Sequence, residues 1–201
     1  MKKLLIITLL FASFLTSAQQ ANSWVFTGEM SFLSEKTETL NSFSNNSENS
    51  QTRLLGSVGY VLAKSNLELG LSIGYDRSDL VSFLSENNDK LVSINFAPYI
   101  KKYFILNDKF ALHLKGALAF GKGYIESDMS NDEFDLNQVG FIIRPGFVYF
   151  LTNKIGLIGN IGSLAYISST TKFRTGSDSK SKTFGFNLNG SNISLGIAFY
   201  L

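Results

Sequence analysis

The chain has 201 residues, 44% of them hydrophobic, a mean hydropathy of +0.09, 18 Lys and Arg against 16 Asp and Glu, and no cysteine. These values fit one domain of ordinary hydrophobicity and exclude a disulfide-stapled fold, thiolate metal sites, a Cys nucleophile and a lipid-acceptor Cys. Beyond the first fifteen residues no stretch approaches the ~20 apolar residues that a spanning helix requires, so helical membrane crossing is excluded there.

The first element is a leader. Lys2 and Lys3 precede the apolar run Leu4 to Leu15 and the small residues Thr16, Ser17 and Ala18, the arrangement of a secretory signal peptide cut after Ala18. The expected organisation is a cleaved signal over 1–18 and one domain over 19–201. Loss of the two leader lysines leaves 16 basic side chains facing 16 acidic ones, so no basic surface points to nucleic acid.

Alternation of apolar with other residues, the mark of a strand, then recurs through the whole domain. WVFTGEMSF puts Trp24, Phe26, Met30 and Phe32 on one face and Glu29 on the other. RLLGSVGYVL presents Leu54, Val58, Tyr60 and Leu62, with Arg53 behind. LELGLSIGYD presents Leu67, Leu69, Leu71, Ile73 and Tyr75, with Glu68 and Asp76 behind. Further segments run over about 91–103, 110–123, 136–150 and 155–167, with Lys115 and Arg144 again on the less apolar parity. The eighth begins near Lys182, alternates on Phe184, Phe186 and Leu188, and then changes parity to Ile193, Leu195, Ile197 and Phe199. One extra residue at Asn189-Gly190-Ser191, a β-bulge, accounts for the change; an Asn-Gly hairpin there gives an odd strand count.

Connections alternate between turns (63–66, 104–109, 151–154) and long polar stretches (33–51, 77–90, 124–135, 168–181). Strands of ~9–11 residues, an even strand number, an apolar outward parity and loops long at one end only describe a transmembrane β-barrel. The predicted fold is all-β: an eight-stranded antiparallel up-and-down transmembrane β-barrel with short periplasmic turns and long extracellular loops. Aromatics cluster at both strand ends as two girdles: Trp24, Tyr60, Tyr103, Phe104, Phe110, Tyr149 and Phe199 at the turn end, and Phe32, Tyr75, Phe120, Tyr124, Phe134, Tyr166 and Phe184 at the loop end. Pro98 and Pro145 lie inside predicted strands, and each requires a bulge or a lumen water in place of its missing donor.

Charges on the inward parity make a poor soluble core and an acceptable barrel lumen. Counting from the turn, Leu62 opposite Leu67 sets Arg53 opposite Asp76, an ion pair at the outer mouth. Glu29 and Glu68 are expected to pair with Lys115 or Arg144. An eight-stranded barrel is just wide enough for its own side chains, so a plugged lumen is expected. The sole histidine, His113, has inward parity near a short turn and reads as a lumen hydrogen-bonding residue. The acidic run Glu126, Asp128, Asp132, Glu133 and Asp135 lacks an EF-hand frame and reads as solvated loop. No catalytic, cofactor-binding or metal residue is assigned, and the chain is expected not to be an enzyme.

The signal peptide, the WVFTGEMSF opening strand, GSVGYVLAKSNLELGLSIGY, FAPYIKKYFILNDKFALHLKGALAFG, RPGFVYFLTNKIGLIGNIG and the terminal SLGIAFYL, in that order, resemble the outer membrane β-barrel domain proteins, the small OmpA/OmpX-like class of Gram-negative bacteria. The resemblance covers the whole domain. It implies a monomeric barrel in the cell outer membrane, contacting outer membrane lipid, with no ascribed reaction. It also implies that the last strand (Ile193, Leu195, Ile197, Phe199, Leu201) is read by the barrel assembly machinery, although Leu201 rather than an aromatic holds the final position. The expected role is structural or surface interaction, in adhesion or envelope integrity, through an extracellular partner bound by the loops. The alternatives are a narrow, porin-like pore gated by the lumen charges, a surface lipid-modifying enzyme and a soluble lipocalin-like barrel.

Overall fold

The computed structural model describes residues 22–37, 47–82, 87–127, 132–172, 178–187 and 193–201. They form ten strands: β1 (Ser23–Thr37), β2 (Ser47–Leu62), β3 (Leu67–Ser82), β4 (Asn87–Asn107), β5 (Phe110–Ser127), β6 (Asp132–Phe150), β7 (Ile155–Ile161), β8 (Ser163–Lys172), β9 (Asp178–Asn187) and β10 (Ile193–Tyr200). Neighbours pair antiparallel in an up-and-down order, with β7–β8 and β9–β10 each forming one interrupted stave. Eight staves therefore close the barrel.

Closure is made between β1 and β10, from Val25 opposite Tyr200 to Met30 opposite Leu195. At the lower rim the Trp24 N–H donates to the Leu201 carbonyl at 2.9 Å, and the Leu201 N–H donates back at 2.8 Å. Such a seam is obligatory in lipid, where an unpaired backbone group finds no water.

The short turns are locally encoded. Ala63–Ser65 forms a single 3-10 turn ended by Asn66 at φ 51°, a left-handed conformation that asparagine tolerates. The Asn107 side chain accepts the Lys109 N–H at 2.9 Å. Thr152 Oγ1 accepts from Lys154 and Ile155 at 3.2 and 3.1 Å.

At the other end the structure departs from the expected long loops. β3 and β4 pair as far as Ser82 with Asn87, β5 and β6 as far as Ser127 with Asp132, and β8 and β9 as far as Lys172 with Asp178. The polar stretches are mostly strand, because Ser, Thr and Asn can satisfy a ladder in water as readily as apolar residues do in lipid. With 21 residues in β4, about twice what a crossing needs, the staves project well past the membrane.

The seventh segment, which reads as continuous in the sequence, is broken at Gly162. Asn160 pairs with Gly146 and Leu164 with Ile143, so one stave spends an extra residue opposite Arg144 and Pro145. Gly162 takes φ 73°, and the outward parity changes from Leu157 and Ile161 to Tyr166 across it. This bulge interrupts the ladder where Pro145 has no N–H to offer. At Pro98 the ladder to β5 skips Ala97 and Pro98 and resumes at Tyr99 in unchanged register, so a gap serves there instead of a bulge.

The bulge expected at 189–191 lies outside the described residues. On either side the outward faces do change parity, from Phe184 and Phe186 to Ile193 and Leu195. Ile161 pairs with Ile193 and Ser163 with Asn187, so two steps on one stave match six on the other. The displacement is four residues and exceeds a one-residue bulge.

Substituting Gly162 by Val places a β-branched residue in left-handed backbone, at a cost of about 1–2 kcal/mol. At Gly28, where an added Cβ meets nothing within 4 Å, alanine is expected to change stability by no more than about 0.5 kcal/mol. The temperature at which the compact, unboiled gel band converts to the unfolded one is expected to fall for G162V and to hold for G28A.

Candidate functional site

Outside, the barrel presents an apolar belt. Phe26, Met30, Leu54, Ile73, Ile94, Leu118, Leu195 and Ile197 are all exposed. Trp24 packs edge-on against Tyr60 at 5.3 Å at the turn end, where Tyr149 and Phe199 are exposed. Phe32, Tyr75, Phe120, Tyr166 and Phe184 are exposed at the other end. Tyr103 departs from the expected girdle: it points inward and is 2% exposed, because it shares the odd parity of Tyr99 and Lys101. The side chain of Phe134 lies outside what is described.

Inside, the end facing the short turns is filled by Val25, Val61, Tyr103, Ala111, Val148, Ile158, Ala198 and Tyr200, with Ile105 and Phe150 against them. Above this plug the charges begin. Glu68, fully buried, accepts hydrogen bonds from Tyr99 and Tyr103, and from Lys101 Nζ at both oxygens, at 3.2 and 3.1 Å. Its partner is thus Lys101, directly opposite on β4, and not Lys115 or Arg144 as expected. Lys101 does not stand out in the sequence because Lys101-Lys102 offers two lysines. The outward parity of Ile100 marks Lys101 as the inward one.

Room for this cluster comes from glycine. A Cβ on Gly70 would stand 2.6 Å from the Tyr99 ring and 2.5 Å from the Val58 carbonyl, and one on Gly59 would stand 2.6 Å from Glu68 Oε1. Lys115 donates to Ser72 Oγ at 3.0 Å and lies 4.1 Å above the Tyr99 ring, a cation–π contact. His113, expected to hydrogen-bond, has no partner at either ring nitrogen among the described residues and packs edge-on to Tyr103 at 6.3 Å.

Glu29 accepts Asn160 Nδ2 at 2.6 Å and Ser194 Oγ at 3.2 Å, both at Oε2, with Oε1 unpartnered among the described residues. Arg53 lies opposite Asp76 and pairs with it, and Asn95 donates to the other Asp76 oxygen. Arg144 lines a cavity of about 100 Å³ together with Arg53, Asp76, Lys115, Asn95 and Gln138. Ile193, Leu195, Ile197, Phe199 and Leu201 all lie on the outer, exposed face of the closing stave.

Among solved structures, a major outer membrane protein from Thermus thermophilus superposes with a TM-score of 0.53 at 11% identity, over 90% of this chain and 100% of that one. The fold is that of an outer membrane β-barrel. Neisserial surface protein A aligns at a TM-score of 0.44 and 14% identity, over 90% of this chain and 99% of its own. The Escherichia coli outer membrane protease OmpT aligns at 0.40 and 10%, over 92% and 100%. No protein-family model and no curated protein matches the chain. At these identities the likeness is one of fold alone. The barrel is thus a wall of eight staves around an apolar floor, with a layer of charge above it.

Removing one partner of the buried pair tests that layer. Glu68→Gln leaves Lys101 charged and unpaired inside the barrel, which is expected to cost about 3–5 kcal/mol in urea unfolding from lipid or detergent. Adding Lys101→Met is expected to recover most of that loss. Equal and additive effects of the two changes would show that the pair is not coupled.

Proposed function

We propose that the protein is a monomeric, non-enzymatic integral outer membrane barrel whose work is done by its four outer hairpins, in adhesion or envelope integrity. The observation that carries this reading is the pairing of β3 with β4, and of β5 with β6, far beyond the length of a membrane crossing. These extensions continue the barrel wall, with β2 paired to β3 as far as Ser47 opposite Ser82 and β4 to β5 as far as Asp89 opposite Ser127, and they offer their side chains to a surface partner. Exposed ion pairs decorate them, Arg77 with Asp79 at 2.9 Å and Lys90 with Glu126 at 3.4 Å. Such pairs add little stability, so their value lies in the pattern of charge offered outward.

The apolar floor argues against the pore reading, because ions entering from the outer side meet side chains that are buried to 3% exposure or less. A reaction finds no support in His113, which lies inside the barrel against that floor. The leader over 1–18 supplies export in this reading, and the exposed outer face of β10 supplies the surface that the assembly machinery reads.

Two measurements test it. Unboiled protein in outer membrane fractions is expected to run faster on a gel than boiled protein. Replacing 77–90 by a Gly/Ser linker is expected to abolish cell-surface binding or to sensitise the envelope to detergent, with the gel shift retained. Parental surface binding together with parental detergent resistance in the linker variant would overturn the role of that hairpin.

A further inference from the structure

Register places a row of like charges across the lumen wall. Lys101 pairs with Lys115 between β4 and β5, and Lys115 pairs with Arg144 between β5 and β6, so three adjacent staves each aim a cation inward at directly opposed positions. Like charges so opposed repel, and inside a narrow barrel the repulsion is poorly screened. Lys101 is answered by Glu68. Neither Lys115 nor Arg144 has a carboxylate within ion-pair distance among the described residues. Asp76 is committed to Arg53 and Asn95, and the bonded oxygen of Glu29 to Asn160 and Ser194.

The two unanswered cations converge on a defined space. The cavity of about 100 Å³ has Lys115 and Arg144 on its lining, with Arg53, the amides of Asn95 and Gln138, and the Ser72 hydroxyl. The rest of the wall is apolar: small residues such as Ala117, Ala119 and Gly121 leave open volume beside the basic side chains, and Leu55, Ile142 and Ile167 complete the lining. The floor is closed by the apolar plug. On the outer side the Arg53 side chain retains 35% of its exposure, which marks the direction of access.

We propose that this cavity is a blind binding site for a small oxyanion, of carboxylate or phosphate size, entering from the outer mouth. The guanidinium of Arg144 supplies a planar fork of donors suited to two oxygens of one anion. Lys115, held by Ser72 and the Tyr99 ring, supplies a point charge from the neighbouring stave. Asn95 and Gln138 supply neutral amides. The anion completes the charge balance that the protein's own carboxylates leave unmet. The site rests on the barrel reading but not on any role of the hairpins.

The test uses the full-length barrel folded in neutral detergent, titrated calorimetrically with inorganic phosphate, with acetate and with chloride at constant ionic strength. Saturable binding of phosphate or acetate is expected, with chloride weaker, together with a rise in the temperature at which the compact gel band is lost. Arg144→Met and Lys115→Met are each expected to weaken binding at least tenfold. In anion-poor buffer R144M is expected to be as stable as the parent or more so, since a repelling charge is gone, and to show no rise with phosphate. Arg77→Gln, on the exposed hairpin, is expected to bind as the parent does.

Absence of saturable binding by the parent would overturn the proposal, as would equal stabilisation by all three salts or unchanged affinity in R144M and K115M. A folded, heat-modifiable barrel that fails this titration loses the anion site while keeping the barrel assignment. A chain that shows no heat-modifiable band in membranes loses the barrel assignment itself.

Discussion

An eight-stave barrel has an interior barely wider than the side chains that fill it, and that confinement governs the rest of this molecule. Every inward position is a packing decision, so large residues on one stave demand small ones on the next. Tyr99 reaches over the neighbouring staves because Gly70, directly opposite, and Gly59, one strand further on, yield the space. Charges cannot be diluted by water in such a volume and must be answered by neighbours, as Glu68 is by Lys101 and two tyrosine hydroxyls. The outer face carries the opposite burden. It must be apolar all round, and the ladder of β1 against β10, from Val25 to Met30, joins the first and last strands of the wall.

The same confinement explains what is legible in the sequence. Strand number, outward parity and the short turns can be read because each is written locally, in alternation and in Asn, Thr and Ser at turn positions. The Arg53–Asp76 contact can be counted from a four-residue turn because antiparallel pairing carries register up a hairpin without loss. The partner expected for Glu68 is wrong because its answer lies on the adjacent hairpin, across a long outer connection from which no register can be counted. Tyr103 is misplaced for a related reason: an aromatic near a strand end suits a girdle, and only the parity of the whole β4 run assigns it to the lumen.

Irregularities are less legible. The parity change in the eighth stave stands out in the sequence, whereas the matching change at Gly162 does not, because the glycines and isoleucines around it blur the alternation. Pro145 is the better signal. A proline in a closed barrel needs a local break, and the break occurs on the facing stave, in a segment with no proline of its own. Pro98 shows that the same need can be met by a silent gap, which leaves no trace in any neighbouring sequence.

The lumen charges also bear on how the barrel selects its register. A buried ion network is seldom more stable than an apolar filling of the same volume, so stability alone is a weak reason for its presence. Slippage of β3 by one residue against β4, however, would turn Glu68, Asp76 and the glycines outward and drive Leu69, Leu71 and Ile73 into the lumen. An all-apolar barrel would lose less by such a slip, because both faces would tolerate the exchange. Charge confined to one parity makes the misregistered wall costly on both sides at once, in lipid and in the lumen. Cations placed in excess on three neighbouring staves then serve two ends: they enforce this alternation, and they leave an attraction within the barrel for an anion from outside.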